Sequence, residues 1–151
     1  MARPAQVDSK VVRGKAAFHT LLPALAFLLD SVVPPAGKAL VGLTAAAMVA
    51  SALGGPKVSL FGRLYVQVLR RLLHLSPGRM EDATPHRFAE TLGAIFLSAA
   101  TVTFALRAGS VGWVLALLVS ALAALNWLGG ICIGCQMYLL LKRVSARGRV
   151  A

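Results

Sequence analysis

Acidic residues are scarce in this sequence: 5 Asp and Glu stand against 16 Lys and Arg in 151 residues. Charge of either sign is scarce too. Charged residues make up 14% and apolar ones 58%, where a soluble domain has roughly 25% and 45–50%. That excludes an ordinary water-soluble domain of this size. The net charge of +11 would suit nucleic acid, but such binding needs a cationic face on a soluble fold. Here the cations cluster between long apolar runs, the pattern of basic loops beside membrane spans, so no nucleic-acid partner is expected. Cysteine is nearly absent. Cys132 and Cys135 cannot build a secreted disulfide framework, which needs several pairs. No secretory leader stands out either, since the first apolar run lacks a small-x-small cleavage site and further runs follow it.

What remains is four apolar stretches, at residues 16–33, 36–53, 88–106 and 111–141. An 18-residue helix rises about 27 Å, close to the roughly 30 Å of a bilayer core. Backbone amides find no water there, so helix is the state each stretch must take. The expected fold is therefore all-α: a polytopic membrane protein with four transmembrane helices, forming one domain over 1–151. Pro34-Pro35 marks the turn of a helical hairpin between the first two spans. Between spans two and three, residues 57–75 put Arg63, Gln67, Arg70, Arg71 and His74 on one helical face. Phe61, Leu64, Tyr65, Val68 and Leu72 fall on the other. Such two-sidedness predicts an amphipathic helix lying in the membrane interface. Thr84-Pro85 reads as an N-cap and first helical position for the third span.

Fourteen of the sixteen cations lie before the first span, between the second and third, or after the last. They run from Arg3 and Lys10 through Lys57, Arg63 and Arg87 to Lys142 and Arg149; only Lys38 and Arg107 fall on the other side. The positive-inside rule then places both termini in the cytoplasm, in the cell (inner) membrane.

The last stretch, "VGWVLALLVSALAALNWLGGICIGCQMYLLL", would be about 46 Å long as one straight helix, too long for a bilayer core. Gly129, Gly130 and Gly134 are where a break costs least, and one outcome is a span to Leu128, a bend, and a second segment from Ile131. If the segment stays helical, Cys135 and Cys132 lie about 10 and 15 Å inside the cytoplasmic boundary. A C-x-x-C pair that opens a helix has its first thiolate stabilised by the helix N-terminus. The pair is thus a candidate catalytic dithiol. Alternatively, Gly130 and Gly134 form a G-x-x-x-G packing face on which cysteine is a small apolar filler. His19, His74 and His86 show no spacing that would join the thiols in a metal site, and no metal or cofactor is expected. Asn126 and Gln136 are candidate polar supports for a thiolate. Arg87 and Glu90 are expected to pair across one turn, with the segment around Asp82, Pro85, Arg87 and Phe88 a candidate docking loop.

These residues resemble a bacterial membrane family catalogued as domain of unknown function 4395. The resemblance rests on Asp8 and Arg13 in a D-x-x-x-x-R leader, and on Asp82, Pro85, Arg87, Phe88 and Ala89 opening the third span. Its most specific part is Asn126, Gly130, Cys132, Gly134, Cys135 and Tyr138 at the end; Ser9 departs from a common proline. The resemblance covers nearly the whole chain. It implies a neighbourhood of thioredoxin-like or rhodanese-like proteins, and so favours thiol chemistry. The expected function is thiol–disulfide exchange or sulfur transfer with such a soluble partner, Cys135 exchanging and Cys132 resolving. The alternative is a structural subunit, forming a homo-oligomer or joining a membrane complex through Gly130 and Gly134. A third reading is a passage for a small sulfur-containing anion.

Overall fold

Two short extended segments, each ending in aspartate, launch helices from the same end of the molecule. In the computed structural model, which describes residues 6–55, 58–72, 74 and 76–147, β1 (Gln6–Asp8) pairs antiparallel with β2 (Met80–Asp82), Val7 opposite Glu81. Asp8 caps α1 (Ser9–Asp30), accepting the Lys10 N–H at 2.9 Å. Its carboxylate also accepts the Gly78 N–H at 2.9 Å and meets Arg70 at 3.5 Å. Short carboxylates suit these positions because the first helical turn leaves amide groups without partners.

Among the described residues, four helices are long and apolar enough to cross a membrane: α1, α2 (Pro34–Gly54), α5 (Ala83–Ala105) and α6 (Gly109–Gly129). They form a four-cornered bundle in which α1 and α5 each pack against both α2 and α6. The shared core is built from small and medium residues, Ala26, Val41, Ala45, Leu97, Ala100 and Ala116 among them, which lets the backbones approach closely. Leu28, Leu43, Ile95, Val102 and Val114 face outward. An apolar exterior on apolar helices belongs against a lipid bilayer.

The boundaries differ from expectation where polar caps rule. The first span begins at Ser9, not at residue 16, because Asp8 starts the helix inside the basic leader. The third begins at Ala83, because Asp82 is the cap and not Thr84: its carboxylate accepts the Thr84 N–H at 2.9 Å and the Thr84 hydroxyl at 2.8 Å. Those bonds hold its carboxyl below the ordinary carboxylate range. The hairpin turn falls at Ser31–Val33, with Pro34 opening α2, where its missing N–H costs nothing.

The expected helix over 57–75 is interrupted. It comprises α3 (Leu60–Leu64), a π-helical stretch (Tyr65–Leu69) and α4 (Arg70–Leu72); Lys57, Leu73 and Leu75 lie outside the described residues, as do Arg3 and Arg149. Only Phe61 and Tyr65 of its apolar stripe are buried, while Leu64, Val68 and Leu72 are exposed. Phe61 stacks on Phe18 at 5.6 Å and meets the edge of His19 at 5.0 Å, and the Tyr65 ring covers Gly14.

The last stretch is not one span. Helix α6 stops at Gly129, and Gly130 caps it with φ +66°, its N–H bonded to the Asn126 carbonyl at 3.0 Å. Glycine takes this left-handed conformation without the Cβ clash that penalises other residues. A separate helix, α7 (Ile133–Arg147), follows and packs on α5.

Candidate functional site

The break after α6 brings both cysteines to the basic end of the bundle, beside the first turn of α5. Because the helix does not continue, the thiols are not carried along the α6 axis as a straight span would carry them. Cys132 becomes the residue that caps α7. Its carbonyl accepts the Gln136 N–H at 3.1 Å, and its sulfur accepts the Cys135 N–H at 3.3 Å. A thiolate here receives an amide that the first turn leaves unpaired, and it faces the positive end of the helix dipole. Both cysteines are free and half-buried.

A third group joins them from a distant part of the chain. His86, on the first turn of α5, places Nδ1 3.3 Å from the Cys135 sulfur, and its Nε2 lies 2.9 Å from Oε2 of Glu81. Protonated and donating to that carboxylate from Nε2, the ring turns an Nδ1–H toward the sulfurs, where it favours a thiolate; once that proton has left, Nδ1 is an acceptor. The Cys135 S–H has the Cys132 sulfur as its acceptor. The consequence for acidity is a division of labour. The Cys132 thiol is lowered to about 5, first by its hydrogen bond with Cys135, then by His86 and the Cys135 N–H, against the opposing effect of burial. Cys135 is pushed up, chiefly by the neighbouring Cys132 sulfur and by burial, and keeps its proton.

The donor atoms of His86, Cys132 and Cys135 all lie within 4.8 Å of one another. Two sulfurs and an imidazole are soft donors of the kind zinc accepts; a structural zinc site would need a fourth protein ligand, whereas a catalytic one leaves that position to water or substrate. Among the described residues no fourth histidine, cysteine or carboxylate joins this group. The arrangement has the parts of a dithiol with its own base.

The other expected residues fall around this centre in different roles. Asn126 and Cys132 both line a cavity of about 660 Å³. Gln136 is exposed and contributes only its backbone. The Tyr138 ring rests on Phe88 at 5.6 Å, tying α7 to α5. Pro85 lies in the first turn of α5. Arg87 does not pair with Glu90: it reaches the Ala52 carbonyl at 3.4 Å, and Glu90 takes Lys15 at 2.7 Å. The segment proposed as a docking loop is therefore folded against the thiol pair, with Asp82 in its helix cap. Gly130 and Gly134 do not share a helical face. Gly130 lies under the Arg13 guanidinium, and a Cβ on Gly134 would come within 2.6 Å of the Ala89 Cβ and 2.9 Å of its Cα. Gly134→Leu must push α7 off α5, with a destabilisation of about 1–3 kcal/mol, read as a lowered unfolding midpoint in detergent and loss of the Tyr138–Phe88 contact. An unchanged midpoint would refute this packing.

His86 and Glu81 are the site residues that sequence reading missed. The signal available was the position of His86 inside the "EDATPHRF" segment, beside residues already singled out. A family model described as Domain of unknown function (DUF4395) matches residues 7–143, spanning everything from β1 into α7. No curated protein and no solved structure matches the chain.

Proposed function

The chain belongs to the DUF4395 family, and we propose that within this fold Cys132 and Cys135 form a dithiol that exchanges with a disulfide on a soluble, thioredoxin-like partner. The observation that carries the reading is Cys132 at the start of α7, its sulfur bonded to the Cys135 N–H at 3.3 Å with His86 beside the pair. The order of attack is the reverse of the one depth alone suggests. The Cys132 thiolate attacks one sulfur of the partner disulfide, forming a mixed disulfide and releasing the partner's first thiolate, which takes the His86 proton. His86 then takes the Cys135 proton, and the Cys135 sulfur attacks Cys132, closing the pair and releasing the partner's second thiolate, which collects the proton. Run backwards, the same steps reduce the pair. A persulfide partner would be attacked by the same thiolate on its outer sulfur.

In this reading both termini face the cytoplasm of the inner membrane, since the basic end carries α1's start, Arg87 and α7. The π-interrupted segment then lies in the interface, its exposed Leu64, Val68 and Leu72 turned to lipid and Arg63 and Arg71 to headgroups. Ala89 and Arg13 lie against Gly134 and Gly130, which favours the exchange reading over an oligomerising one. The test is alkylation of reduced protein in native membranes. One cysteine, Cys132, should react first with a small maleimide at pH 6, where an ordinary thiol is almost wholly protonated. Two unreactive cysteines, or equal slow labelling of both, would end the proposal.

A further inference from the structure

A pair reduced by its partner, the exchange run backwards, must hand two electrons on to something, and the cavity that Cys132 lines has the character of a site for that acceptor. It measures about 660 Å³, within the range of small-molecule sites, and lies among α1, α3, α5, α6 and α7. Its walls are mainly apolar, with Met48, Phe96, Val119 and Leu122 among them. Cys132 belongs to its lining. His19 also lines it: the residue is only 7% exposed, and neither ring nitrogen has a hydrogen-bond partner among the described residues. A buried imidazole with both nitrogens unsatisfied is costly unless a ligand completes it. Close by, Lys15 holds Glu90 at 2.7 Å and the Ser51 hydroxyl at 3.3 Å, a charged pair on the wall of an otherwise greasy chamber.

We infer that this cavity binds a lipid-soluble quinone, which accepts the electrons of the Cys132–Cys135 pair; the inference rests on the exchange chemistry proposed above. The class follows from the chemistry of the walls. A planar ring with a hydrocarbon tail suits the apolar surface, and a ring carbonyl gives His19 the acceptor that its N–H lacks. An acyl chain would fill the apolar part and leave His19 unsatisfied. The step balances as follows. The Cys132 sulfur bonds to a ring carbon, the electron pair moves to the carbonyl oxygen, and that oxygen takes up the proton that His86 releases. His86 removes the Cys135 proton, the Cys135 sulfur attacks Cys132, and the carbon–sulfur bond breaks with its pair returning to the ring. The second oxygen takes up the proton from Cys135. The disulfide and the quinol are the products.

The experiment uses the reduced full chain in nanodiscs, without oxygen, and a fully ring-substituted benzoquinone with a short alkyl tail, which lacks the open ring position that thiols arylate permanently. Expected is one quinol formed for each pair of thiols lost. Ala123→Phe, which fills the cavity, and His19→Leu should each raise the half-saturating quinone concentration by up to about tenfold, the loss of one hydrogen bond or its equivalent in fit. Oxidation by a water-soluble disulfide should be unchanged in both variants. A pair that exchanges with the soluble disulfide but reduces no quinone overturns this inference and leaves the exchange reading standing. So does quinone reduction indifferent to both variants, or a co-purified acyl lipid that excess quinone fails to displace. Thiols inert to both oxidants overturn the two together.

Discussion

Cys132→Ser loses disulfide exchange by about a thousandfold or more, the scale on which nucleophile deletions act, whereas Cys135→Ser stops the reaction halfway. The asymmetry follows from which sulfur caps α7. Cys132 is the group that holds negative charge at neutral pH, because the Cys135 thiol, His86 and the Cys135 N–H all favour its thiolate. A serine hydroxyl in its place can still accept the amide and cap the helix, so the fold survives while the nucleophile is gone. Cys135 keeps its proton and acts second. Without it, the mixed disulfide on Cys132 has no internal sulfur to displace it and accumulates. Mass spectrometry after addition of glutathione disulfide reads the difference: one glutathione added to Cys135→Ser, none to Cys132→Ser. The opposite pattern would return the roles to the order expected from depth, and equal adducts on both variants would show two independent thiols.

The proposed order departs from the one that depth suggests for a physical reason. Four spans could be read directly, because about 20 apolar residues in a row leave a chain few alternatives to crossing a bilayer. The glycines around residue 130 marked where the last run would give way. What periodicity could not convey is the consequence of the break: once α6 ends, Cys132 stops being one rung of a helix and becomes the opening of another. Nor could it convey the third member of the site. His86 and Cys135 are 49 residues apart, and Glu81 reaches His86 from a strand of three residues. Such a strand gives no alternation to detect. Its partner, β1, lies in the basic leader before the first apolar run, and the two are held by Asp8 accepting from Gly78 and pairing with Arg70. The "EDATPHRF" segment carries four charged or titratable side chains. Three of them are engaged within the chain, Asp82 in a cap, Arg87 on a carbonyl, and Glu81 on the site histidine.

His86→Ala should reveal itself in the pH at which Cys132 becomes reactive more than in the rate at any one pH. In the native protein, alkylation by iodoacetamide tracks the thiolate, so it falls off as pH drops through about 5 and is flat from about pH 6 upward. Removing the imidazole withdraws one of the groups that favour the charged sulfur. The Cys135 hydrogen bond and the helix amide remain, so the midpoint should rise by roughly 1–2 units and stop short of an ordinary thiol, near 8.5. The sign is fixed by what is lost: thiolate becomes rarer between pH 5 and 7. Its intrinsic nucleophilicity increases as its basicity does, with a slope of about 0.4–0.5. These two effects nearly offset each other at pH 6, while at pH 9, where both proteins are fully ionised, the variant should alkylate about threefold to eightfold faster. A single-pH assay could therefore report no change, and the full profile is the measurement that decides. Glu81→Gln should move the midpoint in the same direction by less, since the carboxylate acts on Cys132 only through His86. A native profile whose midpoint lies near 8.5, or one that His86→Ala leaves where it was, would mean that the imidazole 3.3 Å from the Cys135 sulfur has no part in ionising the pair.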